Sequence, residues 1–216
     1  MIRLLPHLKH KKHIIFDYNG TILYDTDLCV EALNHLLHSH NMNPVSEAFY
    51  REHFHFPISS FYQKIGFDFE RESFDELGVR YMSLYFKNLH RCRVYEGLRE
   101  LVHELRHHSI KTSILTALNH EALHAQLLSF GLHSHFDAAF GLPDHRAHSK
   151  VERGHDLMKH MGIPASETLI IGDTDHDLEV ARALNIDAIL LADGHQDETR
   201  LQKTGAKVIN LERKTE

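Results

Sequence analysis

Beyond residue 94 the chain alternates short apolar runs with amphipathic stretches, and that rhythm leaves few folds open. Apolar runs at 112–116, 136–140, 168–171, 188–191 and 207–209 each follow a segment of helical periodicity, at 97–108, 119–130, 150–161, 175–184 and 196–203. Runs this short, bounded by helices, read as buried strands of a parallel sheet covered on both faces. Gly131 and Gly162 follow two of the helical segments and fit C-terminal stops. One further strand is expected near the N-terminus, where His13-Ile14-Ile15-Phe16 runs into the glycine-containing loop Asp17-Tyr18-Asn19-Gly20-Thr21.

The stretch between the first strand and residue 94 has another character. Residues 25–40 carry Leu28, Ala32, Leu33, Leu36 and Leu37 at helical spacing; residues 74–89 carry Leu77, Tyr81, Leu84, Tyr85 and Leu89. Short helices are expected over 45–68, around the loop 53–57. No convincing strand occurs there, so the block reads as a helical insertion between sheet elements. Phe54, Phe56, Phe61, Tyr62 and Phe67 are expected to form its own small core, with His53 and His55 beside them.

Composition narrows the class. With 42% hydrophobic and 25% charged residues, the 216-residue chain is an ordinary globular protein. A net charge of -6 argues against a general nucleic-acid binder. No apolar run approaches the roughly 20 residues of a membrane helix, and residues 1–12 lack a secretion signal, so a cytoplasmic protein, monomer or homodimer, is expected. Cys29 and Cys92 read as reduced thiols, and Lys9 to Lys12 as a solvated lead-in to the first strand. The 22 histidines are scattered. The pairs His103/His107 and His120/His124 could clamp a metal, but their dispersal favours a compositional bias.

The chemistry sits at predicted strand ends, which in a parallel sheet share one edge. Asp17 ends the first strand, Thr116 the second and Asp173 the fourth; Lys150 opens the helix after the third, and Asp177 lies one helical turn beyond Asp173. Singly, each residue has an ordinary reading as a cap, a strand former or a surface charge. In this order they make a nucleophile, a hydroxyl donor, a cation and a carboxylate pair, which points to one Mg²⁺ site and phosphoryl chemistry.

These motifs, Asp17-Tyr18-Asn19-Gly20-Thr21, Ile114-Leu115-Thr116-Ala117, Lys150 and Gly172-Asp173-Thr174-Asp175-His176-Asp177, resemble those of haloacid dehalogenase-superfamily phosphatases. The stretches Phe54-His55-Phe56-Pro57 and Ile65-Gly66-Phe67-Asp68 are similar to the phosphoglycolate-phosphatase-like branch. The resemblance implies a three-layer, Rossmann-like α/β core of residues 1–24 and 94–216 with an all-helical cap of residues 25–93. It implies that Asp17 becomes an aspartyl phosphate, and that Asp17, the Asn19 carbonyl and Asp173 hold Mg²⁺ while Asp177 orients Lys150 and the metal's waters or joins the metal site. Thr116 and Lys150, with backbone N–H groups near Gly20 and Ala117, would cradle the phosphoryl group, and His55 would face a small phosphorylated metabolite such as a phosphorylated two-carbon acid.

One position departs from the pattern. The family's usual second aspartate, two residues after the nucleophile, is Asn19 here. An amide cannot exchange protons near neutral pH, and general acid–base help is typically about 10²–10⁴ in rate. Three outcomes are open: substrates whose leaving groups need no proton, a replacement carrier such as His55 or Asp25, or a protein that binds a phosphate ligand without fast turnover. A metal-independent dehalogenase would have no use for Asp173 and Asp177, and a phosphomutase would especially need the missing carboxylate.

Overall fold

The structure, a computed structural model, describes residues 1–143 and 150–211. Six parallel strands form the central sheet in the order β5-β4-β1-β6-β7-β8: β1 (His13–Phe16), β4 (Lys111–Asn119), β5 (Ala138–Leu142), β6 (Thr168–Gly172), β7 (Asp187–Leu191) and β8 (Lys207–Ile209). Phe16 pairs with Ile114 on one side and Ile171 on the other, so β1 is an interior strand and its four residues are all buried. Successive side chains point to opposite faces. Ile14 and Phe16 join one apolar cluster with Leu101, Leu105 and Leu123, while Ile15 packs in a second with Leu115, Leu157 and Val180. Each face is covered by helices: α6 (Leu98–His107) and α7 (His120–Ser129) on the first, α8 (Lys150–Met161) and α9 (Asp175–Leu184) on the second.

The chain leaves and re-enters this layer through a small antiparallel ribbon, β2 (Leu23–Tyr24) on β3 (Arg93–Val94). Between them lie α2 (Thr26–Ser39), α3 (Glu47–His53), α4 (Ile58–Lys64) and α5 (Phe74–Asn88). Ser73 and Glu76 form a reciprocal capping box that fixes the start of α5. Leu33, Leu36, Phe54, Phe61, Tyr62, Phe67 and Leu77 share one buried cluster, so the aromatic stretch builds the insert's interior.

Some details differ from the sequence expectation. β4 continues to Asn119, and β5 begins at Ala138 rather than 136, because Phe136 packs edge-on against Phe16 and Asp137 accepts from the Thr112 backbone N–H. Of the expected solvated lead-in Lys9 to Lys12, Lys9, His10 and Lys12 are exposed, but Lys11 is not, and the segment before it is packed. Met1, Leu4 and Leu8 enter the core. Lys11 is buried, pairing with Asp187 at 2.7 Å and donating to the Ser166 carbonyl. Its long stem explains this, since Lys can lie along apolar surface while its ammonium meets a partner. The two cysteines are free thiols. Among the described residues no helix is long and apolar enough to cross a membrane.

Candidate active site

The sheet order places β4, β1 and β6 side by side. Asp17 leaves β1 with its N–H bonded to the Ile171 carbonyl of β6. Thr116 lies on β4 and Asp173 directly follows β6. From the second face Lys150, the first residue of α8, reaches in and is buried. Its Nζ donates to Asp17 Oδ1 and Asp177 Oδ1, both at 2.6 Å. Burial alone would discharge the ammonium, but the two carboxylates overcome this and hold the Lys150 pKa above its ordinary value.

Asp177 is held by its own helix start. Its Oδ2 accepts from the Thr174 hydroxyl at 2.7 Å, the Thr174 N–H at 3.0 Å and the Asp173 N–H at 3.2 Å. Burial opposes its ionisation, yet Lys150 and these donors keep the carboxyl below the usual range. Asp173 accepts from the Thr21 hydroxyl and from the His195 N–H. Room for it depends on absent side chains: a Cβ on Gly20 or Gly194 would come within 2.2 Å or 2.3 Å of Asp173 Oδ2. Gly20 also has φ +72°, a left-handed conformation that glycine adopts without strain. Burial pushes the Asp17 carboxyl up; Lys150 opposes this, while Asp177 and Asp173 add to the rise. Burial likewise raises Asp173, with His195 opposing it.

One oxygen each from Asp17, Asp173 and Asp177 lies within 4.8 Å of the other two. An all-oxygen, buried, acidic group suits a hard divalent cation such as Mg²⁺. Asp177 already accepts from Lys150, Thr174 and the Asp173 N–H, which leaves it the least free of the three to take a further partner. Asp17 and Asp173 retain more acceptor capacity. The other three-residue group of possible ligands among the described residues is Asp25, Cys29 and His195. The His103/His107 and His120/His124 rings are in edge contact, and His120 accepts from the Gly141 N–H.

Asn19 lies at the centre of a second polar cluster. Its Nδ2 donates to Asp25 Oδ2 at 2.7 Å and to the Tyr85 hydroxyl at 2.9 Å, and that hydroxyl donates to the same Asp25 oxygen. Asp25 Oδ1 accepts from the Gly20 N–H and lies 3.4 Å from His195 Nε2; His195 Nδ1 shares a hydrogen bond with the Tyr50 hydroxyl. Asp25 would be raised by burial, but His195, Asn19 and Tyr85 hold it below the usual carboxylate range. Burial works against the His195 imidazolium, but Asp25 outweighs it and pushes the pKa up to about 9.

Above these groups is a cavity of about 930 Å³ between the sheet edge and the helical insert. Asp17, Asn19, Thr116, Ala117 and Lys150 line its base. Thr116 Oγ1 accepts from the Leu118 N–H, which leaves its own proton available. Two expected participants stand elsewhere. His55 does not line the cavity; its Nδ1 is bonded to the His53 carbonyl and its ring lies against Phe61. The Gly20 N–H is shared between Asp25 and the Leu23 carbonyl, so it is not aimed at a ligand. Asp25, considered as a proton carrier, is a buried and stabilised carboxylate, better suited to fixing Asn19 than to donating a proton. His195, Tyr85 and Tyr50 escaped sequence reasoning. Gly194-His195, just past the apolar run at 188–191 on the same sheet edge, was the signal for the first; nothing local marks the tyrosines.

The profile of the haloacid dehalogenase-like hydrolases matches residues 14–191. Pyrophosphatase PpaX of Halalkalibacterium halodurans is 23% identical over 169 residues, 76% of each chain. Tyrosine-protein kinase PtkA of Mycobacterium tuberculosis is 26% identical over 200 residues, 91% of this chain and 67% of that one. The solved structure of the haloacid dehalogenase-like hydrolase SP0104 from Streptococcus pneumoniae superposes with a TM-score of 0.79 at 20% identity, covering 94% of this chain and 95% of that one. With the profile spanning Asp17, Thr116, Lys150 and Asp173, the chain belongs to the haloacid dehalogenase-like hydrolase family.

Proposed function

We propose that this protein is a Mg²⁺-dependent phosphatase that hydrolyses phosphate monoesters of small molecules through an aspartyl phosphate on Asp17. The observation that carries the reading is the buried Lys150 ammonium, held 2.6 Å from Asp17 Oδ1 and anchored equally to Asp177, beside the three-carboxylate cluster. Asp17, Asp173 and the Asn19 carbonyl would hold the cation. When bound, Mg²⁺ supplies positive charge to the phosphoryl oxygens and offsets the repulsion among the carboxylates. A free Asp17 oxygen attacks phosphorus as the bond to the ester oxygen breaks. Lys150 and the Thr116 hydroxyl donate to the equatorial oxygens, where charge spreads during transfer. Water then attacks phosphorus, the bond to Asp17 breaks, and phosphate leaves.

The names of the relatives support phosphoryl chemistry with more than one kind of acceptor, a pyrophosphatase and a tyrosine-protein kinase among them. The alternative of a non-catalytic phosphate-binding protein draws on Asn19 alone. An aryl phosphate assayed with Mg²⁺ and with chelator separates the two. Turnover that requires Mg²⁺ and falls about 10³-fold or more in Asp17→Asn is expected of the enzyme. Turnover unaffected by that substitution would end the proposal.

A further inference from the structure

We infer that the natural substrate is an aryl phosphate monoester, whose aromatic leaving group occupies the apolar cavity above Asp17. The inference rests on the phosphatase reading and adds the substrate class.

Two independent observations converge on it. The first is the wall of the cavity. Beyond the reacting groups its accessible apolar wall is made by Phe56, Ile58, Phe74, Val79, Met82 and Phe86, from the loop at 54–57 and from α4 and α5 of the insert. Three basic side chains line it among the described residues, and each has an acidic partner: Lys150 with Asp17 and Asp177, His195 with Asp25, and His176 with Glu179. Apart from the hydroxyls of Tyr81 and Tyr85, the polar side chains that α5 adds, Asp75 and Ser83, are exposed. A phosphorylated two-carbon acid would bring a carboxylate against this wall, where each of those basic side chains is already engaged by a carboxylate of the protein, and pyrophosphate would bring a second charged phosphate there. Burying an unpaired charge is among the most expensive moves a site can make. An aromatic ring instead gains burial and edge or stacked contacts with Phe56, Phe74 and Phe86. About 930 Å³ is also far more space than a two-carbon group fills.

The second observation is Asn19. Its amide is fixed by Asp25 and Tyr85, and no proton on it can pass to a departing alkoxide. An aryl oxide needs none: a phenol has a pKa of about 10, against about 15.7 for water. Attack by Asp17 breaks the bond from phosphorus to the aryl oxygen. The electron pair stays on that oxygen, which takes its proton from solvent after departure. Water completes the cycle at the aspartyl phosphate, giving a phenol and inorganic phosphate. The apolar wall and the missing acid therefore select the same substrate for unrelated reasons.

The test compares kcat/KM, with saturating Mg²⁺, for phenyl phosphate, 1-naphthyl phosphate, hexyl phosphate, phosphoglycolate and inorganic pyrophosphate. Hexyl phosphate separates leaving-group chemistry from apolarity. The aryl esters should exceed each of the other three by about 100-fold or more, the scale of lost general acid help. Val79→Lys, at an exposed position of the wall, and Met82→Lys should each lower kcat/KM for 1-naphthyl phosphate about tenfold or more. Hexyl phosphate, phosphoglycolate or pyrophosphate cleaved as well as the aryl esters would overturn the substrate class and leave the phosphatase standing. So would indifference of the naphthyl ester to both lysines. Cleavage of none of the five would overturn the phosphatase reading itself, and this inference with it.

Discussion

Asn19 and His195 show how far single residues were legible. The replacement at 19 was plain in the sequence, but its physical setting was not: Asp25, six positions on, folds back to accept from the amide. A carboxylate at 19 would face that buried oxygen at hydrogen-bond distance, and two such groups cannot both ionise freely. Asn19→Asp is therefore expected to improve alkyl ester cleavage selectively, chiefly when combined with Asp25→Asn, while aryl ester cleavage changes little; equal gains on both esters would refute the acid's role. His195 allows a prediction about pH. Its folded pKa of about 9 lies above the ordinary 6.5, so its pairing with Asp25 stabilises fully below about pH 6.5 and is lost as pH rises through about 9. The contribution is on the order of 3 kcal/mol. Chelated protein should lose melting temperature across that window, and His195→Gln should flatten the decline. An unchanged slope in the variant would remove His195 as its source.

Whole elements were read well wherever burial enforced a period. The strands at 168–171 and 188–191 and the helix between them stand close to expectation, the strands because sheet residues covered on both faces must be apolar throughout. Local chemistry moved boundaries elsewhere, as at Phe136 and Asp137, and long-range partners decided Lys11, whose ion pair with Asp187 no window around it contains. The pairing of Tyr50 and Tyr85 with residues of the core was likewise invisible, since α3 and α5 meet His195 and Asn19 only once the insert is folded. Tyr85→Phe removes a hydroxyl that both accepts from Asn19 and donates to Asp25. It should destabilise by about 1–3 kcal/mol, measured by urea unfolding, and raise KM more than it lowers kcat. At the glycine cradle, Gly194→Ala would drive a methyl group into Asp173. Loss of Mg²⁺-dependent activity by about 100-fold or more, with the far-ultraviolet spectrum retained, is the expected result.

For the molecule as a whole, the acidic cluster couples stability to the cation. Burial raises the folded pKa of Asp17 and Asp173 above their unfolded values, so these groups favour folding when protonated and lose that contribution as pH climbs through their raised values. A divalent ion that needs both ionised reverses the penalty. Mg²⁺ should therefore raise the melting temperature more at pH 8 than at pH 5.5, and its binding should release protons, detectable by calorimetry in buffers of different ionisation enthalpy. An equal rise at both pH values would count against this ligand set. The ribbon of β2 on β3 carries a consequence of another kind. Because the two chain crossings are paired at one spot, the insert enters and leaves the core layer together, and replacing it at that junction would exchange the cavity wall without altering the strand order, provided the replacement restores the partners that Tyr50 and Tyr85 give to His195, Asn19 and Asp25.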